Sequence, residues 1–524
     1  MEPILTPAEM AEADRRTIAG GTSFETLVGR AGRAVARAVL AELGGAYGRR
    51  VVLLCGKGNN GADGRVAAEA LRARGVRCTV LDLAAGFDRA AAERAIGRAD
   101  ALVDAMYGTG FRGTLEGDAA WFADLTDDIG IPVIAIDIPS GVDGTTGAVD
   151  TVAVHATRTV TFAAWKPGLL AEPGRTRAGT VTIADIGIDL DEAAEDPWAA
   201  RVTGPDVAAW WPTRDANAHK WACGPVLVVG GSPGMEGAPT LAAVAALRAG
   251  AGIVWAATPT PATELRAPEG APAPSRAQSS ERDVDDALPF GVEVVHHPLP
   301  SDPDGPSAGS LDDAGVDAVL AVAGRFGAVV VGPGLGTAPS VGPAVRRLVA
   351  ECDRPLLLDA DALTALAGDP APLLARSAAG LAPVLLTPHE GEFARLDGPV
   401  GPDRIAAARR LAAATGATVL LKGPTTVVAE PDGRALVTDT GGPSLATAGS
   451  GDVLSGMAGS LLAAGLPPIR AGAAAAWLHG GTADLAGHTS LVAGDLVATL
   501  VEAVWLLTDP WVSDWARPND DPNP

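Results

Sequence analysis

The chain has 524 residues, 47% of them hydrophobic and 20% charged, with a formal net charge of −23. That length asks for more than one core. The charge argues against a nucleic-acid or anionic-membrane partner, and no stretch is long and apolar enough to span a bilayer. MEPILTPAEMAEADRR lacks the basic-then-apolar pattern of a signal peptide, so a cytoplasmic protein is expected. Cys55, Cys78, Cys223 and Cys352 have no C-x-x-C spacing and read as buried small hydrophobes.

TPAEMAEADRR and TSFETLVGRAGRAVARAVLAELG each open on T-x-x-E, a capping box, and predict two helices. Apolar runs then alternate with helical patterns: VVLLC, a helix from Ala62, VRCTVLDL, a helix near Asp88, ADALVDAM, a helix near Asp118, PVIAIDIPS. TVTFAAW and GTVTIADIG follow as further strands. Such alternation means a parallel sheet covered on both faces. DLDEAAEDPWAARVTGPD breaks the pattern and marks the domain boundary. A second series runs through GPVLVVGG, AVVVGPGLG, PLLLDADAL, VLLTPHEGEF and TVLLKGPTTVVAEPDGRALV, the last resembling a hairpin, and ends in Ala-rich helices around 452–507. Residues 259–313 read as a surface excursion with some strand around GVEVVHH. WVSDWARPNDDPNP reads as a frayed tail.

Only four of the 40 basic residues are lysines, Lys57, Lys166, Lys220 and Lys422, and outside the tail asparagine occurs only as Asn59, Asn60 and Asn217. A chain that keeps these residues in so few places points to their particular chemistry there. Asn217, His219 and Lys220 form a polar cluster in DANAHKW, just before a strand.

GKGNNG, residues 56–61, fits G-x-G-x-x-G, with Asp82 closing the next apolar run where a ribose-binding carboxylate belongs in a dinucleotide fold. Two features go beyond that fingerprint. Asn59 and Asn60 offer amide oxygens suited to a hard cation, and Asp63 adds a carboxylate in the first turn of the helix. DAMYGTGFRG and DIPSGVDG put Asp104, Asp137 and Ser140 at neighbouring strand ends, where an open parallel sheet gathers its ligand site.

GKGNNGADG, VDAMYGTGFRG, DIPSGVDG and TFAAWKPGL together resemble the NAD(P)H-hydrate epimerase family over residues 1–205. The resemblance implies that Asn59, Asn60, Gly61, Ala62 and Asp63, with Gly108, Thr109, Gly110, Phe111, Arg112, Gly113 and Thr114, hold hydrated NAD(P)H as substrate. It implies potassium on Asn60, Asp104 and Ser140, and Asp137 as the substrate-contacting acid–base. The family usually has glycine where this chain has Ala62. A carboxylic acid that gives and takes a proton is sufficient to labilise the C6 hydroxyl. Lys166 either tunes that acid, contacts phosphate or makes a structural salt bridge.

In the second half, TAGSGDVLSG sets Asp452 at the start of a helix behind Gly449 and Gly451, a layout for phosphoryl transfer with an aspartate base. Lys422, Thr425 and Thr426 close another strand, suited to nucleotide phosphates. His389, Glu390 and Glu392 close a third. NAHK, GGSPGMEGAPTLAAVAALRAGAG, GPGLG, LDADAL, TPHEGEF, LKGPTT and ATAGSGDVLSGM resemble the ADP/ATP-dependent NAD(P)H-hydrate dehydratase, a ribokinase-like family, over residues 206–508. By that resemblance Ala238, Gly336, His389 and Asp452 contact the hydrate, while Lys422, Gly423, Pro424, Thr425, Thr426 and Gly451 hold the adenine nucleotide. ADP is the expected co-substrate, with Mg²⁺ accompanying it.

The expected architecture is therefore α/β throughout: an N-terminal Rossmann-like three-layer domain, a ribokinase-like α/β domain, and a tail from residue 509. The expected function is repair of both epimers of NADHX and NADPHX, with S-form dehydration at the expense of ADP, by a homo-oligomer with no nucleic-acid or membrane partner. The rival readings are a ribokinase-like kinase of a thiazole or pyridoxal alcohol with an accessory nucleotide domain, a ligand-sensing or scaffold role for the N-terminal fold, and an NAD dehydrogenase.

Overall fold

The computed structural model describes residues 1–190, 198–261, 291, 293–487 and 490–509. The chain divides into two compact units, Glu2–Arg201 and, together with Met1, Val202–Pro524.

In the first unit the capping box predicted from TPAE is present, Thr6 and Glu9 closing the start of helix Pro7–Ala19. The second helix, Phe24–Glu42, is capped one residue later than T-x-x-E suggests: Ser23 accepts from Thr26 N. Six strands form one parallel sheet in the order Arg77–Asp82, Arg50–Cys55, Ala101–Ala105, Val133–Ile136, Arg158–Phe162, Thr180–Ala184. Both faces are covered, which explains the continuous apolar runs. Val35, Val39, Ala67 and Leu71 of two helices pack on one face; Ile96 and Phe122 pack on the other. This is the expected three-layer, Rossmann-like arrangement. The order reverses between Arg50–Cys55 and Ala101–Ala105, so the crevice beyond their carboxyl ends is the natural binding position.

GKGNNG lies at that reversal, but only its first half is loop. Helix Asn59–Ala73 begins inside the motif, so Ala62 is its fourth residue and Asp63 lies beyond its first turn. Its early amides have no side-chain cap behind Gly58, which leaves N–H groups free for a ligand. The Asp189–Asp206 connector is more ordered than its composition suggests. Outside residues 191–197, which are not described, it supplies strand Ala199–Arg201, paired with Glu2–Pro3, and helix Gly204–Trp210.

In the second unit, strands Thr418–Leu421, Val384–Leu386, Leu356–Leu358, Ala328–Val331, Val226–Val229, Val254–Pro261 and Val295–Ser301 run parallel in that order. The predicted hairpin is the first turn of a three-stranded antiparallel run, with Thr426–Ala429 and Ala435–Thr438 added to Thr418–Leu421. This order reverses between Val226–Val229 and Ala328–Val331. The three Ala-rich helices are Ser450–Ala463, Pro468–Ala486 and Ala493–Thr508.

The 259–313 segment departs from its reading as an excursion. One strand continues to Pro261, and Val295–Ser301 pairs along its full length as a parallel edge strand; residues 262–290 and 292 lie outside the described part, as does the tail from residue 510. All four cysteines are free thiols; Cys55 and Cys352 are buried as expected, whereas Cys78 and Cys223 are only half-buried. No helix among the described residues is long and apolar enough to cross a membrane.

Candidate active sites

The first unit holds a cavity of about 440 Å³ at the sheet's reversal point, lined by Asn59, Asn60, Asp63, Gly108, Thr109, Gly110, Phe111, Asp137 and Lys166. Asp14 and Ile18 of helix Pro7–Ala19 and Phe24, Leu27 and Val28 of the next helix complete it with a mostly apolar wall. Of the expected substrate contacts, Gly61, Ala62, Arg112, Gly113 and Thr114 stand outside this lining. Gly61 has a backbone role: a Cβ there would lie 1.8 Å from Gly56 O, and one at Gly56 would lie 2.0 Å from Met106 O. Arg112 donates to Thr109 O and Phe111 O, holding its own turn.

Asp137 sits just past strand Val133–Ile136 with φ 66°, a conformation a residue with a Cβ adopts only under constraint. Its Oδ1 is 2.9 Å from Lys166 Nζ and accepts from Thr161 Oγ1 at 3.3 Å, and its Oδ2 accepts from Thr109 N at 3.1 Å. Lys166, 1% exposed, also donates to Thr161 Oγ1 and Phe162 O. Burial alone would raise the Asp137 carboxyl. The Lys166 ammonium and the Thr109 amide outweigh it and hold the carboxyl below its ordinary value. Lys166 therefore serves as the cation that keeps Asp137 ionised.

Asp104 and Ser140 meet directly: Ser140 N and Oγ donate to the Asp104 carboxylate at 2.8 and 2.7 Å, and Met106 N adds a third bond at 3.1 Å. Asp104 is fully buried, and no side-chain cation pairs with it among the described residues. Burial pushes it up to about 6 despite the bonds from Ser140 and Met106. Nδ2 of the buried Asn60 has no partner, and its Oδ1 stands near Gly108, where Asp137 Oδ2 also approaches. A buried carboxylate short of positive charge, with a hydroxyl and an amide at hand, fits a monovalent hard cation.

Asp82 does not face this cavity as a free ribose acceptor. Arg65 bonds it at 2.6 Å, Ala84 and Ala85 amides add two more bonds, and together these lower its pKa. The dinucleotide fingerprint is thus present in backbone form, with its usual carboxylate already spent on a salt bridge.

In the second unit the strand ends converge in the same way. Lys422 Nζ lies 2.8 Å from Asp359 Oδ1 and 3.8 Å from Glu392 Oε2, and Ser455 Oγ donates to Asp359 Oδ2 at 2.6 Å. Burial would raise Asp359, but Lys422, Ser455 and Thr387 turn its pKa downward. Asp452, third in helix Ser450–Ala463, is pushed up to about 7 by burial and then by Asp359, with Lys422 opposing. A carboxylate poised near neutrality is the setting a general base requires. Ala360, between Asp359 and Asp361, has φ 48°, so a constrained residue marks this strand end too.

Gly336 N donates to Asp361 Oδ2 at 2.8 Å, and the neighbouring Gly334 closes against Ala238, which brings the Gly336 loop up to the first turn of helix Gly237–Arg248. His389 caps helix Glu390–Asp397 through Nδ1, which accepts from Gly391 N and Glu392 N and so leaves its proton on Nε2. Arg404 crosses under the Lys422–Thr426 turn, donating to Lys422 O and Thr425 O and pairing with Glu390. Gly451 lies beside Lys422 Nζ. Asn217, His219 and Lys220 are exposed and before the strand, away from this cluster of strand ends.

Sequence reading had missed Asp14, Asp359, Asp361, Arg404 and Ser455. Asp359 and Asp361 follow the strand in LDADAL, so the strand-end rule applied to Asp104 and Asp137 reaches them as well. Asp14 has a subtler signal, an acid interrupting the Met10–Ile18 stripe at helical spacing.

Two doubly wound α/β units, each with a lysine-paired aspartate one strand from its sheet's reversal point, define a two-unit α/β enzyme architecture. Residues 25–95 and 86–168 match the family described as YjeF-related protein N-terminus, and residues 287–504 match the family described as NAD(P)H-hydrate dehydratase. The bifunctional NAD(P)H-hydrate repair enzyme Nnr of Salinibacter ruber is 40% identical, covering 94% of this chain and 95% of its own. The Nnr of Escherichia coli is 32% identical over 96% of this chain and 93% of its own. A Bacillus subtilis ADP/ATP-dependent NAD(P)H-hydrate dehydratase structure, co-crystallised with ATP and Mg²⁺, is 30% identical over 58% of this chain and 97% of its own, with a TM-score of 0.45. The chain belongs to the bifunctional NAD(P)H-hydrate repair enzymes.

Proposed function

We propose that the two activities of this family divide between the two units: the first epimerises hydrated NAD(P)H at C6, and the second dehydrates the S form with ADP as co-substrate. The observation that supports this most directly is the pair of contrasting carboxylates, Asp137 held ionised by Lys166 in one unit and Asp452 poised near neutrality in the other.

In the first unit, Asn59, Asn60 and the Gly108–Phe111 turn hold the substrate and Asp137 exchanges a proton with its C6 hydroxyl. Asn60, Asp104 and Ser140 would hold potassium, whose positive charge would balance the buried Asp104 and stiffen the turn that carries Gly108.

In the second unit, Asp452 takes the proton of the S-configured C6 hydroxyl as that oxygen bonds to the β-phosphorus of ADP and AMP leaves. Phosphate then departs with the C6–O bond, a proton leaves C5, and the reduced nicotinamide ring is restored. Lys422 balances charge on the moving phosphoryl group, and the Lys422–Thr426 turn with Gly451 receives the nucleotide. Mg²⁺ bound to the phosphates would neutralise their charge, and the carboxylates around Lys422 supply oxygen atoms of the kind it takes.

The test is to incubate the full-length protein with S-form and with R-form NADPH hydrate, each with ADP, and to follow the near-ultraviolet absorbance of the reduced ring. Both forms should be recovered by the native protein, and only the S form after Asp137→Ala. No recovery from the S form removes the dehydratase assignment, and undiminished R-form turnover by Asp137→Ala removes the role of Asp137.

A further inference from the structure

The first cavity contains a second carboxyl group whose surroundings are the reverse of those of Asp137. Asp63, on helix Asn59–Ala73, is 7% exposed, lines the cavity, and makes no hydrogen bond or ion pair with any described residue. Asp137, on a different element lining the same cavity, is held by Lys166, Thr161 and Thr109. A buried carboxyl without a partner costs stability. That cost is retained here at a position lining the space a substrate would fill.

We propose that Asp63 is a second catalytic acid–base of the epimerase, acting on the C6 hydroxyl from the face opposite Asp137. This rests on the epimerase reading of the first unit. By the iminium route, inversion at C6 takes oxygen off one face and returns it on the other; one acid labilises the hydroxyl, and the ionised Asp137 serves the return step. In one direction the Asp63 carboxyl gives its proton to the hydroxyl, the C6–O bond breaks with its electron pair going to oxygen, and the ring nitrogen lone pair forms the C=N bond. Water then adds to C6 from the other face, the C=N pair returns to nitrogen, and the proton released goes to Asp137. Solvent then carries the proton from Asp137 back to Asp63, which resets the site, and the opposite epimer passes through the same steps in reverse.

The titratable groups lining the cavity are Asp14, Lys57, Asp63, Tyr107, Asp137 and Lys166. Burial, then the Asp137 and Asp14 carboxylates, push Asp63 up to about 8, so it carries a proton at neutral pH while Asp137 does not. Two carboxyls driven apart in this way supply an acid and a base from one residue type.

The experiment uses full-length protein and R-form NADPH hydrate in oxygen-18 water, with S-form turnover in the same preparation as the measure of active protein. The native protein should place one solvent oxygen at C6 per inversion. Asp63→Asn should slow inversion by about 100-fold or more while the hydrate still binds by calorimetry, and Asp63→Glu should recover part of the rate. Inversion by Asp63→Asn at the native rate, or inversion by the native protein with the original oxygen kept, overturns the inference. If the native protein does not interconvert the epimers at all, the epimerase reading falls and this inference falls with it.

Discussion

Lys422 Nζ lies 2.8 Å from Asp359 Oδ1, and the two charges stabilise each other inside the second unit. Asp359 is held below its unfolded value of 3.8 and Lys422 above its unfolded value of 10.5. Their contribution is complete between those two values. It is lost as pH falls through the lowered Asp359 value or rises through the raised Lys422 value. Lys422→Met leaves Asp359 buried and unpaired and should destabilise the protein by roughly 3 kcal/mol at pH 7. Urea unfolding with and without the substitution checks this, and dehydration should be lost in the same variant.

With Asp452 as the proposed base, dehydration should follow its titration. Its folded pKa of about 7 stands above the unfolded 3.8, so the carboxylate forms as pH rises through neutrality. The rate for the S form should climb through about pH 7 and then level off. The same shift costs stability: folding is disfavoured increasingly as pH rises from 3.8 through about 7. Asp452→Asn should therefore raise the melting temperature at pH 8 while lowering kcat by about 100-fold or more.

Burial and the Asp137 charge do most to keep the proton on Asp63, and the Asp14 charge adds to them. Asp14→Asn removes a negative neighbour, lowers the Asp63 pKa, and should move the alkaline limb of R-form conversion to lower pH. A pH–rate profile of that conversion, set beside the unchanged profile for the S form, reads the shift. A limb that stays in place shows that Asp14 does not act through Asp63.

Potassium should matter to one activity and not equally to the other. Replacing KCl by tetramethylammonium chloride should slow conversion of the R form more than that of the S form. Asp104→Asn should abolish the difference between the two salts, because it removes the buried negative charge that the cation would balance. R-form rates compared in the two salts check this.

Gly108 stands where Asp137 and Asn60 converge, and a Cβ there would lie 2.9 Å from Asp137 Oδ2. Gly108→Ala should displace that carboxylate and lower R-form conversion about tenfold or more with little change in melting temperature. The R-to-S rate ratio is the measurement, since the second unit is untouched.

Most of the architecture could be read from alternating apolar runs, because strands buried on both faces leave a continuous hydrophobic trace. Asp104, Asp137 and Asp452 were legible by one geometric rule, that strand and helix ends gather at a sheet's reversal point. What the sequence left open or missed was set by contact across the chain. Lys166 stood beside Asp137 as one of three alternatives, and the Lys422–Asp359 pair, 63 positions apart, has nothing in local spacing to join it. The start of helix Asn59–Ala73 was misjudged because Asn59 and Asn60 are weak helix formers that also favour turns. The parallel pairing of Val295–Ser301 was missed because histidines and prolines dilute its strand signal.

The burial of Lys166 has a practical side. Acylating reagents aimed at amines normally meet a forest of surface lysines, but this chain offers four side-chain amines in all, and one of them is 1% exposed. Lys57 at the cavity mouth and the exposed Lys220 are then the main targets besides the N-terminus. A bound substrate that shields Lys57 while Lys220 reacts freely would be visible by intact mass alone, giving a label-based readout of occupancy in the first unit without any engineered reporter.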